Sequence, residues 1–311
     1  MKILVTGGAG FIGSHVVDKY IEAGHEVAIL DNLSTGHEKN INPKAEFFKV
    51  DLCDKESAKI VKNIKPDIIN HHAAQIDVRV SVADPVNDIR VNIMSLVSLI
   101  EAARTTGLKK VIFASSGGTV YGEQKTFPAD ETHSTWPISP YGLNKLTCEK
   151  YLYYYNNQYK IPYVALRYAN IYGPRQNPHG EAGVIAIFIK KMLGNEEPVI
   201  NGDGKQSRDY VFVKDVAEAN FLALKPEAFG AYNVGTTVET DVNAIFNMLK
   251  EITGSKCNEI HRDAMPGEQQ RSSISSEKLQ KELGWKITTN IEQGLIKTAD
   301  WFKYQNDKIN K

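Results

Sequence analysis

Tyr141 and Lys145 stand four residues apart, directly after Ser139-Pro140. Ser139 reads as a helix N-cap and Pro140 as the first helical residue. On a helix that spacing puts a phenol and an ammonium on one face. Such a pair can work as acid and base at neutral pH, because the positive charge favours the phenolate and draws down a pKa otherwise near ~10. A hydroxyl is available upstream. The apolar run Val111-Ile112-Phe113-Ala114 reads as a buried strand that ends on Ser115-Ser116 before Gly117-Gly118. Tyr-x-x-x-Lys occurs four times, at Tyr121/Lys125, Tyr141/Lys145, Tyr210/Lys214 and Tyr304/Lys308. Only the Tyr141 pair also has a helix start and a strand-end serine 25 residues upstream.

The elements that must position these groups begin at residue 2. Lys2 to Thr6 is a short apolar strand, followed at once by Gly7-Gly8-Ala9-Gly10-Phe11-Ile12-Gly13 and a helix to about Ala23. Gly7 permits a tight turn, Gly10 a close approach of backbone to a pyrophosphate, and Gly13 close helix–strand packing, with the helix N-terminus facing the phosphates. A second strand, Glu26 to Leu30, ends on Asp31, 18 residues after Gly13. A carboxylate there accepts from both ribose hydroxyls and repels a 2′-phosphate, which favours NAD over NADP. Strands at 47–50 and 67–70 alternate with a helix at 55–63, and a long helix runs from about Pro85 to Arg104. Asp51-Leu52 stands where an adenine edge would lie. The alanines of Ala73-Ala74-Gln75 would let a cofactor backbone pass close. His71-His72 point to opposite faces of a strand and have no suitably spaced carboxylate, so no metal is expected.

The alternation implies an α/β fold, a Rossmann-type doubly wound parallel sheet with its site at the C-terminal strand ends. A smaller C-terminal α/β substrate-binding domain follows. The expected division is 1–170 for the dinucleotide-binding part, with a return segment near 211–236 whose strand is Tyr232-Asn233-Val234-Gly235, and 171–311 for the rest. Within it a helix at 184–193, a short strand at 198–200, a helix near 213–224 and three amphipathic segments over 240–302 are expected. Lys+Arg and Asp+Glu are 37 each, so the net charge is zero, which argues against nucleic-acid or membrane-surface partners. Cys53, Cys148 and Cys257 are far apart and read as reduced thiols. With no membrane-length apolar run and a strand starting at residue 2, no signal peptide is read and a cytoplasmic place is expected.

With these residues in view, the chain resembles the extended short-chain dehydrogenase/reductases, and among them the UDP-glucose (UDP-galactose) 4-epimerase type. The markers run through almost the whole length: Thr6 to Gly13, Asp31-Asn32-Leu33, Ser115-Ser116 through Tyr121-Gly122, Tyr141 to Lys145, Leu166 to Asn170, Gly202-Asp203-Gly204, Arg208-Asp209 and Pro266-Gly267-Glu268. The resemblance implies Tyr141 as catalytic base and acid, Lys145 as the residue that holds the nicotinamide ribose and tunes the tyrosine, and Ser116 on the sugar O4. One glycine more than the commonest pattern leaves Ser115 or Thr119 able to share the serine's role. It places Phe11, Ile12, Asn32, Asn92 and Tyr168 with the residues above around NAD. It implies Asn170 and Arg208 at the diphosphate of a UDP-sugar, and 175–184, Val184 included, with 199–201 at the uracil.

The implied chemistry is epimerisation at C4 through a 4-keto sugar, with NAD held tightly and regenerated in each turnover. Related 4,6-dehydratases need an Asp-Glu pair just after the strand-end serine, where this chain has Gly117-Gly118. A decarboxylase or an epimerase of C5-oxidised sugars is a nearer alternative, and a non-catalytic dinucleotide sensor a remote one. Similar epimerases often carry arginine where this chain has Met265, which would shift the diphosphate clamp onto Arg208 and Arg271. Ser272 would border the sugar C2 and leave room for an N-acetyl group. Relatives pair the 85–104 and 141–159 helices between two copies. Ile93, Met94, Leu96 and Leu99 on one, and Tyr151, Leu152, Tyr154 and Tyr155 on the other, suggest the same homodimer here.

Overall fold

A computed structural model gives the structure of the chain and describes residues 1–179, 183–264 and 269–309. The first half alternates strand and helix. β1 (Lys2–Thr6), α1 (Phe11–Glu22), β2 (Glu26–Asp31), β3 (Glu46–Lys49), α2 (Lys55–Ile64) and β4 (Ile68–His71) come first. α3 (Val78–Ala83), α4 (Pro85–Ile89), α5 (Ser95–Ala103), β5 (Lys110–Ser116), α6 (Pro140–Tyr159) and β6 (Tyr163–Tyr168) follow. Beyond them lie β7 (Asn170–Tyr172), α7 (Val184–Leu193), β8 (Val199–Asn201), β9 (Ser207–Phe212), α8 (Val213–Leu222) and β10 (Gly230–Val234). The chain closes with β11 (Glu239–Asp241), α9 (Val242–Thr253), β12 (Ile260–Arg262), β13 (Arg271–Ser272), α10 (Glu277–Leu283) and α11 (Ile291–Ile309).

Seven strands form one sheet in the order β10-β6-β5-β4-β1-β2-β3, with each neighbouring pair parallel. The chain winds outward from β1 through β2 and β3, then returns to the other side with β4, so the order reverses between β1 and β4. Crevices for ligands open at such a reversal. Ile3, Val5 and Ile29 pack on one face against Val16, Val17 and Tyr20 of α1 and Trp285. Leu4, Ile69 and Phe113 pack on the other against Val61, Leu96, Leu99 and Leu152. Burial on both faces explains the unbroken apolar runs that a parallel sheet demands. A third apolar cluster joins Phe188, Ile189, Phe212, Phe246 and Leu295.

The expected return strand is β10, at the edge of the main sheet beside β6. The expected single helix from Pro85 to Arg104 is helical throughout but not uniform. Arg90–Met94 is a π-helical stretch between α4 and α5. A wide turn lets Asn92 face the interior, buried at the same time as Leu96 and Leu99 one and two turns on.

Candidate active site

Three structural decisions bring the chemistry together. The first is the β1–α1 turn, where Gly7 has φ +68° and a Cβ on Gly13 would stand 2.2 Å from the Gly7 carbonyl. Only residues without a side chain allow that turn to fold back under the helix. The second is the end of β5. Its last turn closes through Val120 N–H to Ser116 O at 3.0 Å. The third is the start of α6, where Ser139 Oγ accepts from Gly142 N at 3.2 Å, as an N-cap should.

A cavity of about 570 Å³ runs along the strand ends. Its lining includes Gly7, Gly10, Phe11, Ile12 and Gly13 of the first turn, Asp31, Asn32, Asp51 and Leu52 after the second and third strands, and Ala73, Ala74, Gln75, Tyr141, Lys145 and Tyr168. Asn92 does not line it but accepts from Gln75 N–H and donates to Gln75 O, both at 3.0 Å. Asp31 is buried; Ala9 N–H donates to its Oδ2 at 3.0 Å and Leu33 N–H to its Oδ1 at 2.8 Å. Asn32 donates to Asp51 Oδ2 at 2.8 Å. The Cys53 N–H at Asp51 Oδ1 holds that carboxyl below its usual range, helped by Asn32.

A second cavity of about 470 Å³ adjoins the first, and the two share Phe11, Ile12, Ile76, Ser115, Tyr141, Tyr168 and Gln176. Ser116, Asn170, Val184 and Arg208 complete its functional lining. Thr119, Arg271 and Ser272, expected at the substrate, are not among its described lining residues. Arg271 is engaged with Glu239 through Nε at 3.0 Å and Nη2 at 2.6 Å. Ser272 is buried in β13 at the register of Arg208. The 199–201 strand is likewise absent from the described lining, and Met265, Pro266, Gly267 and Glu268 lie outside the described residues.

The two serines at the end of β5 differ. Ser115 Oγ donates to Glu149 Oε1 at 2.6 Å, and that carboxylate is held by Arg167 through Nε at 3.0 Å and Nη2 at 2.7 Å. Ser116 has no such side-chain bond among the described residues and faces the second cavity. Lys145 is buried, donates to Ala114 O at 2.8 Å and stands 5.6 Å from the Tyr141 ring centroid. Burial draws its ammonium down to about 8. Still charged at neutral pH, it favours the phenolate beside it.

Sequence reasoning missed several cavity residues. His72 lines the cofactor cavity, with its Nε2 3.1 Å from Tyr168 Oη, and burial pushes it down to about 3. Ser34, Thr35 and His37 also line it, and so do Arg175, Gln176, Asn177 and His179, which the resemblance puts at the uracil. They come from loops whose residues have no periodicity to mark them. His71 faces away, onto Thr6 Oγ1 at 2.9 Å. Among the described residues no group of three or more His, Cys, Asp or Glu is placed to hold a metal ion. None of their helices is long and apolar enough to cross a membrane.

Residues 3–235 match the model of the NAD dependent epimerase/dehydratase family. The chain belongs to that family. UDP-glucose 4-epimerase of Mycolicibacterium smegmatis is 40% identical over 97% of this chain and 99% of its own length. The crystal structure of UDP-glucose 4-epimerase from Thermotoga maritima, with UDP-glucose, is 44% identical, with a TM-score of 0.96 over 98% of this chain and 100% of that one. A mouse dTDP-D-glucose 4,6-dehydratase is 33% identical over 97% of this chain, so the family spans two reactions.

As a member of this family the chain is an NAD-dependent enzyme of the UDP-glucose 4-epimerase-like, isomerase kind, and NAD is its cofactor. The cradle fits that group. The glycine turn leaves space where any Cβ would collide, and Asp31 stands beside that turn in the same cavity, bound to Ala9 N–H.

Proposed function

We propose that this family member interconverts UDP-glucose and UDP-galactose by epimerisation at C4 through a 4-keto sugar. The observation that carries the reading is the position of Tyr141 on the wall common to both cavities, with Lys145 Nζ 5.6 Å from its ring and Ser116 lining the second cavity with it. Tyr141 takes the proton of the sugar 4-hydroxyl and later returns it, and Ser116 Oγ holds O4 during both transfers. Lys145 keeps the phenolate as the working base. When bound, NAD supplies a reversible acceptor for the hydrogen on C4. Asn170 and Arg208 hold the diphosphate, and Gln176 and Val184 border the base. Residues 1–170 with the 211–236 return act as the cofactor part and 171–311 as the substrate part.

Dehydration is disfavoured by the β5 end itself. The place of the acidic pair is held by Gly117-Gly118, and a Cβ on Gly117 would lie 2.5 Å from Ile274 Cδ1, so the end of that buried side chain would have to shift. Asp31 supports a preference for NAD over NADP. Exposed Val86, Ile89 and Met94 beside exposed Leu143, Tyr151 and Tyr154 support a homodimer built on the 85–104 stretch and α6. Leu96, Leu99, Leu152 and Tyr155, offered for that face by sequence, are core residues instead. The free thiols support a cytoplasmic place.

The test is a panel of UDP- and dTDP-sugars followed by NMR at C4, with UDP-GlcNAc and UDP-GalNAc for the wider range. Interconversion of UDP-glucose and UDP-galactose is expected. Loss of water across C5–C6, or turnover confined to C5-oxidised sugars, would overturn the reading.

A further inference from the structure

Asp88 is fully buried in α4, and no cation pairs with it among the described residues. Its Oδ1 accepts from Gln75 Nε2 at 2.7 Å and Asn92 Nδ2 at 3.0 Å, and its Oδ2 from Asn144 Nδ2 at 2.6 Å. All three partners donate, as an ionised carboxylate requires, and all three are neutral amides. A buried charge without a counter-charge in contact is costly, and proteins keep one where it does something.

The three amides show what. Gln75 lines the cofactor cavity, Asn92 clasps the Gln75 backbone through N–H and C=O, and Asn144 is the chain neighbour of Lys145. One carboxylate therefore ties the β4 loop, the wide turn at 90–94 and the first turns of α6 into a single floor.

The charges around Lys145 give the second half. On its own helix stand Tyr141, Cys148 and Glu149, on β4 His71 and on the loop after it His72, on β6 Tyr168, and on α4 Asp88. Burial pushes the Cys148 thiol up to about 12 and both histidines down to about 3, and it raises Tyr168, so these are neutral near pH 7. Glu149 is matched by Arg167 at 2.7 Å. Burial lowers Lys145, and the charges of Cys148 and Asp88 oppose it. With the thiol neutral, Asp88 is, among the described residues, the unmatched negative charge around Lys145 that stays when Tyr141 takes up its proton.

We propose that Asp88 is a positioning residue of the acid/base pair, fixing Gln75, Asn92 and Asn144 and serving as the counter-charge that keeps Lys145 an ammonium. The inference rests on the reading of Tyr141 and Lys145 as that pair.

The test uses the NAD-bound enzyme with 13C-labelled lysine, its Lys145 signal assigned by loss in Lys145→Met. In Asp88→Asn the Lys145 titration is expected about one pH unit lower, the low end of what a nearby opposite charge produces. The alkaline limb of kcat should move down with it, while KM for UDP-glucose stays within roughly threefold. Asn144→Ala breaks one arm but keeps the charge, and should leave the titration in place. Asp88→Ser, with room for a water to serve the amides, is the variant to use where Asp88→Asn does not fold. An unmoved Lys145 titration in either folded variant overturns the proposal, as does failure of both to fold, which would leave Asp88 a purely structural part. A shifted titration with an unmoved kcat limb supports Asp88's role and instead sinks the acid/base reading of Tyr141 and Lys145.

Discussion

Tyr141→Phe keeps the aromatic ring, the Ser139 cap and the backbone bond from Tyr141 N–H to Ser81 Oγ at 3.2 Å. Folding and NAD content should therefore survive, while turnover drops by about 10²- to 10⁴-fold, the loss expected for an acid/base group. Tyr121→Phe is the informative contrast. Its hydroxyl donates to Asn233 Oδ1 at 2.6 Å and accepts from Arg167 Nη1 at 3.0 Å, all of it buried. Removing it should cost about 1–3 kcal/mol of stability, measured by urea unfolding, with turnover of the folded enzyme retained. The opposite pattern would move the chemistry to Tyr121. Tyr141 and Lys145 were legible because a helix start and a spacing of four are local features. Glu149 falls on the same spacing, at four beyond Lys145, yet its partners Ser115 and Arg167 lie 34 and 18 residues away. Nothing local announces such a contact, and the same holds for the bonds from Gln75 and Asn144 to Asp88, 13 and 56 residues away.

The Glu149–Arg167 pair belongs to the scale of elements, because it clamps α6 to β6 and, through Ser115, to the end of β5. Both side chains are buried. Glu149→Ala alone should destabilise by about 3–5 kcal/mol, since it strands a buried guanidinium. Glu149→Leu combined with Arg167→Met should cost less than either change alone. Denaturation midpoints for the two singles and the double decide this, and simple additivity would argue that the two groups do not act as a pair. Strands and helices of the sheet were readable from apolar runs and caps. The short strands β7, β11, β12 and β13 were not. Each is two or three residues long, and each exists only because β8 or β9 offers it an edge.

For the whole molecule, pH is a direct probe of what the core excludes. Burial pushes His15, His71 and His72 down to about 4, about 3 and about 3. Below pH ~6.5 the unfolded chain binds protons at all three sites that the folded chain refuses, so stability falls as pH falls. Burial pushes Asp209 the other way, up to about 6, so between pH ~6 and ~4 the folded state gains one proton the unfolded state lacks. Among these four groups, three sites against one leave a net loss of about 2.7 kcal/mol per pH unit over that interval. Urea unfolding at pH 7, 6 and 5 checks the slope, and a flat or rising trend on acidification would contradict it. Assembly is tested separately. Light scattering at micromolar concentration is expected to give twice the chain mass of 34.6 kDa. A monomeric mass would leave exposed Val86, Met94 and Tyr154 in need of another explanation.

The wide turn at Arg90–Met94 amounts to one residue more than a regular helix would use between Asp88 and Ser95. Each residue turns an α-helix by about 100°. Deleting exposed Arg90 would restore the ordinary repeat only by swinging Asp88 away from Asn144 or by rolling Leu96, Leu99 and Ile100 out of the core. Neither can be repaired by choosing better side chains. The length of this segment is thus a fixed quantity, as binding as any residue type within it. A library of single-residue deletions across 85–104 should lose bound NAD, and none should regain it through substitutions inside the segment alone.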